Sequence, residues 1–102
     1  MVIMLRIQRH EDDGRRVVLA LQGRLVGDWA ELLERECAEP IRWGRRIVLD
    51  LSEVIFVGRT GLEALARLSK AGVELVGYSP LIAAMLAQEG VVVTRPRARS
   101  KR

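Results

Sequence analysis

The chain has 102 residues, of which 49% are apolar and 29% charged, with a formal net charge of +4. That is an ordinary globular composition and one domain's worth of chain, since domains cluster near ~100–150 residues. It excludes a multi-domain enzyme and a fibrous rod, and Cys37 as the only cysteine excludes a disulfide scaffold. The charge is unevenly placed. RPRARSKR (95–102) holds five basic residues and no acid, and removing those five from the 17 leaves 12 basic against 13 acidic residues. The body is nearly neutral; the basicity belongs to a tail.

In chain order, Met1 to Gln8 predicts a strand, and Glu11-Asp12-Asp13-Gly14 a turn. Val17 to Leu21, closed by Gly23, predicts a second strand in a hairpin with the first. Asp28 with Glu31 three residues on reads as an N-cap pair, followed by an apolar helical face of Trp29, Leu32, Leu33 and Cys37 that Pro40 ends. Gly44 marks a turn before the short buried strand Ile47-Val48-Leu49 with Leu51, and Val54 to Val57 reads as an apolar connection. After Gly58-Arg59-Thr60-Gly61 comes a helix with Leu62, Leu65, Ala66 and Ser69 on one face, closed by Gly72. Val73 to Tyr78 predicts a strand. Ser79-Pro80 starts a helix over Leu81 to Ala87, ended by Gly90, and Val91 to Val93 offers a last strand. The order ββαβαβα(β) predicts an α/β fold in which the later strands are parallel.

The first ten residues carry charges at Arg6 and Arg9 and so lack a signal-peptide core. The longest uncharged run, Leu75 to Gln88, falls short of the ~20 residues that span a bilayer. With a single cysteine, this predicts a soluble cytoplasmic protein. No metal, cofactor or enzyme constellation emerges. His10 is the only histidine, and Cys37 reads as a small core hydrophobe. Asp50, at the end of the buried strand, either faces a ligand crevice or bonds the following turn at Ser52-Glu53.

Residues 47–65, IVLDLSEVIFVGRTGLEAL, carry the functional signal. A hydroxyl beside glycine opens a helix, where free N–H groups and the macrodipole favour an anion. A phosphate on Thr60 fits there, Gly61 leaves a kinase room, and Arg59 supplies a cation. Equally, Thr60 and Glu63 form a T-x-x-E capping box that requires no further function.

Gly23-Arg24-Leu25, the helix from Asp28, VLDLSEVIFV (48–57), Thr60-Gly61-Leu62 and VELVG (73–77) resemble the STAS family, the bacterial anti-sigma-factor antagonists. The resemblance spans roughly residues 5 to 90. It implies a mixed four- to five-stranded sheet with helices packed on one side. It also implies a module that docks on an anti-sigma factor, often a serine/threonine kinase of the histidine-kinase-like ATPase fold. Thr60 is then the phosphoacceptor, with Arg24, Asp28, Gly58, Arg59, Gly61 and Leu62 as the partner-binding set. This chain has Gly58-Arg59 where the family pattern has Asp-Ser, so Arg59 suits a more acidic partner face. The charge distribution divides the chain into a domain over residues 1–93 and a basic tail over 94–102, and a homodimer is one expected assembly.

Two other readings stay open. One is an unphosphorylated STAS subunit of a lipid-transport ATPase or stress complex. The other is a KH-like RNA-binding module, from the G-x-x-G at 58–61, although its near-neutral body lacks a basic groove.

Overall fold

A computed structural model describes residues 5–12 and 15–91. Its elements are β1 (Leu5–Asp12), β2 (Arg16–Leu25), α1 (Asp28–Arg42), β3 (Arg46–Val57), α2 (Arg59–Lys70), β4 (Glu74–Val76) and α3 (Pro80–Gln88). One four-stranded mixed sheet has the order β1-β2-β3-β4. β1 and β2 pair antiparallel as the expected hairpin, while β2, β3 and β4 run parallel through two βαβ units. Residues 1–4, 13–14 and 92–102 lie outside the described residues, and with them part of the first strand, part of the first turn and Val92-Val93. Val91, the described residue of the expected last strand, is not in a strand.

Alternation builds the core. Val17, Leu19 and Leu21 on β2 and Ile47, Leu49 and Leu51 on β3 turn one sheet face inward onto Leu33 and Cys37 of α1, Leu65 of α2 and Leu86 of α3. Arg6, Gln8, His10 and Gln22 occupy the opposite face and are exposed. The helices therefore share one side of the sheet. All three end alike: the N–H two positions past the C-cap residue reaches back to the carbonyl five residues earlier, as in Val73 to Leu68 at 3.0 Å and Val91 to Leu86 at 3.1 Å. Gly44, Gly72 and Gly90 supply the left-handed residue that this motif needs.

Several expectations are corrected. Val54 to Val57 is no connection but the second half of a twelve-residue β3. Register shifts against β2 between Ala20 and Gln22 and between Gly23 and Arg24 mark two bulges, which rotate successive side chains. Burial then recurs every third residue, at Leu51, Val54 and Val57, instead of every second. Gly23 lies inside β2, which continues in pairing with β3 to Leu25, rather than closing it. Pro40 sits within α1, because near a helix end it removes only one backbone bond and its buried ring packs in the core. β4 is shorter than Val73 to Tyr78, reduced to three residues by the left-handed Gly77.

Candidate functional site

The site lies where β2 and β3 end and α1 and α2 begin. Gly27 is the N-cap residue of α1 and Gly58 that of α2, and neither helix has a side-chain cap. Asp28 is therefore the first helical residue of α1 and not its cap, though it and Glu31 still place acidic charge in the first turn. Thr60 is the second residue of α2, so the Thr60–Glu63 capping box does not form. Its hydroxyl turns to the other helix: Thr60 Oγ1 accepts the Gly27 N–H at 3.0 Å. One of the unpaired donors at the start of α1 is thus satisfied from across the sheet.

Two further contacts lock this arrangement. The Gly58 N–H donates to the Leu25 carbonyl at 3.0 Å. A Cβ on Gly61 would stand 2.2 Å from the same oxygen, so α2 approaches the end of β2 through a gap only glycine fits. Farther along, Arg67 grips Glu34 of α1 with two 2.9 Å bonds. The Arg67 hydrogen bond holds the Glu34 carboxyl below the usual carboxylate range.

Thr60 is exposed at the rim of an open groove of about 380 Å3 between α1 and α2, whose walls carry Asp28, Glu31, Glu34, Glu63 and Arg67. Arg59 is exposed and approaches Glu63 at 3.9 Å. Near the end of β3, ahead of Thr60 in the chain, Ile55 and Phe56 are 74% and 52% exposed. Arg24 stands opposite Phe56 in the strand register and is exposed as well. The hydroxyl thus lies at the rim of an acidic groove, four residues after a pair of exposed apolar side chains.

Of the residues singled out by sequence, Arg24, Asp28, Arg59 and Thr60 come together at the surface, with Gly58 half-buried among them. Leu62 is 6% exposed and belongs to the core, and Gly61 is buried against Leu25, so neither presents a side chain to a partner. Ile55 and Phe56 were missed: an apolar run at a strand end reads as buried, and only the bulges turn these two outward. Asp50 bonds the turn, its Oδ1 accepting the Ser52 N–H at 3.0 Å. Cys37 is fully buried, and desolvation pushes its thiol up to about 12. Among the described residues no cluster of His, Cys, Asp and Glu could hold a metal, and no helix is long and apolar enough to cross a membrane.

A family model described as "Mlab, STAS domain" matches residues 9–92, most of the chain. The chain belongs to the STAS family. Among solved structures, an anti-sigma factor antagonist from Mycobacterium paratuberculosis is similar to it at 24% identity and TM-score 0.70, over 84% of this chain and 78% of that one. The Bacillus cell fate determinant SpoIIAA in its phosphorylated form is similar at 18% identity and TM-score 0.62, over 84% and 85%. An antisigma-factor antagonist STAS domain from Rhodobacter sphaeroides follows at 21% and 0.58, over 72% and 87%. At these identities the likeness is one of fold. No curated protein sequence matches the chain. A STAS sheet with its helices on one side accounts for the convergence of both helix starts on Thr60.

Proposed function

We propose that this STAS domain is a cytoplasmic docking module for an anti-sigma factor of the kinase type, and that Thr60 is the residue whose phosphorylation controls the contact. The supporting observation is the hydroxyl itself. It is exposed, it lies in the first turn of α2, it accepts the Gly27 N–H at the start of α1, and it follows the exposed pair Ile55 and Phe56 by four residues. Arg24, Asp28, Gly58 and Arg59 frame the contact. The domain spans residues 1–93, with 94–102 as a tail.

A dianion on Thr60 adds bulk and negative charge at the oxygen that holds the Gly27 N–H and enters the groove that Asp28 and Glu63 line, so it changes the shape and charge a partner meets. Loss of docking follows from that change of shape and charge. The test is incubation of the chain with its cognate kinase and ATP, read by mass spectrometry. Phosphate on Thr60 and none on Thr60→Ala is the expected result; an unmodified chain beside a kinase that phosphorylates its other substrates sinks the switch.

The same carboxylates favour a second reading, in which the domain docks on an ATPase or stress complex without being phosphorylated. The description of the matching family model also points that way. Here the partner is held equally by wild type and by a chain exposed to kinase, and Ile55→Asp abolishes the complex in both.

A further inference from the structure

The corner between α1 and β3 lies at the opposite end of β3 from Thr60. β3 starts there at Arg46 and runs twelve residues to Val57, at most roughly 40 Å of strand. Trp43, the C-cap residue of α1, is 72% exposed, and Ile41 is 36% exposed. The helix end needs nothing from the indole, because Trp43 closes it through its backbone N–H, bonded to the Glu39 and Pro40 carbonyls. A tryptophan left this bare forfeits most of the burial its large apolar surface would gain in a core.

The segment IRWGRR (41–46) carries three arginines and no acid. Arg15 and Arg16 join it, since the Arg46 N–H donates to the Arg15 carbonyl at 3.1 Å and Arg16 is the register partner of Arg46. Arg42 and Arg46 are exposed and have no carboxylate partner among the described residues. The acids that the topology brings to this end include Glu39 in the last turns of α1, Glu74 at the start of β4 beside β3, and Glu89 after α3, so the cations that stand open next to Trp43 are Arg42 and Arg46. Beyond Val91 the sequence adds five more basic residues.

We propose that this corner seats the protein on an anionic lipid surface, with Trp43 and Ile41 entering the headgroup region and Arg42 and Arg46 meeting lipid phosphates. A bilayer offers apolar matter directly beneath an anionic layer, which is what an exposed indole and isoleucine interleaved in the chain with exposed arginines match. A nucleic-acid backbone provides the anions without a place for Ile41, and a rigid acidic protein would need a cavity shaped to the pair. Attachment of this kind is reversible and weakened by salt. It leaves the Thr60 end free to meet a partner at the same time.

The test mixes the full chain with vesicles of equal parts phosphatidylglycerol and phosphatidylcholine, or of phosphatidylcholine alone, and follows sedimentation and tryptophan emission. The expected result is sedimentation with the anionic vesicles only, a shift of emission to shorter wavelength, and release at high salt. Trp43→Phe should abolish the shift while Trp29 reports an intact fold. Arg42→Gln with Arg46→Gln should weaken partitioning about 30-fold, the effect of removing two basic residues from an anionic surface. Three outcomes overturn the proposal. One is no preference for anionic vesicles. Another is binding lost on substitution of Arg95, Arg97 and Arg99 by Gln but unchanged in the corner variants, which makes it the tail's alone. The third is a Trp43 response to single-stranded RNA or polyglutamate and none to vesicles.

Discussion

The two halves of β3 share one strand and behave as different materials. From Arg46 to Asp50 it is paired in unbroken register with β2, and Val48 to Asp50 pair with β4 as well. Ile47, Val48 and Leu49 there are all buried. From Leu51 to Val57 it is bulged, it has no β4 partner, and it leaves Ile55 and Phe56 in water. The first half anchors the core; the second gives up regular pairing and thereby aims two apolar side chains outward beside Thr60. Local irregularity is what converts a structural strand into a recognition edge.

This contrast can be broken from either side. The largest effect is expected for Leu49→Ala, which empties a fully buried site in the regular half and should cost about 2–5 kcal/mol in denaturant unfolding. Gly61→Ala should come next, at about 1–3 kcal/mol, because its methyl collides with the Leu25 carbonyl and pushes α2 off β2. Thr60→Val keeps the side-chain shape and removes the acceptor for the Gly27 N–H; a loss of about 1 kcal/mol is expected, with faster hydrogen exchange at Gly27. Ile55→Ala should change stability by less than about 0.5 kcal/mol while weakening partner capture, since the side chain is mostly in water. A large stability loss at Ile55 would mean that the edge belongs to the core after all.

Acid provides a finer probe. The Glu34 carboxyl is lowered in the folded chain, so the Arg67 contact stabilises above the unfolded carboxylate range and fades as pH falls through the folded value. Both side chains are substantially solvated, so a small downward step in melting temperature on acidification is expected, absent in Glu34→Gln. Cys37 supplies an internal control. Its thiol stays protonated at neutral pH and should resist alkylation until the chain unfolds.

Most of the fold was legible because hydrophobic period and punctuation agreed with each other. The second strand, the face of Leu62, Leu65 and Ala66, the Ser79 cap, whose hydroxyl accepts the Ile82 N–H at 3.2 Å, and the helix-ending Gly72 and Gly90 all stand as read. Where reading failed, a distant residue had overridden a local pattern. Asp28-Glu31 and Thr60-Glu63 both match capping boxes, yet each helix begins earlier, at a glycine. The threonine oxygen serves Gly27, thirty-three positions away, which no local window reveals. The bulges in β3 arise from pairing with β2 and are equally invisible in the strand's own sequence.

The fit of Gly61 against Leu25 has a consequence for how such a protein can diverge. Position 61 admits one residue on steric grounds alone, while Arg59 beside it points into solvent and is under no such demand. A lineage is therefore free to redraw its choice of binding partner one exposed side chain at a time, on a platform whose docking angle stays fixed.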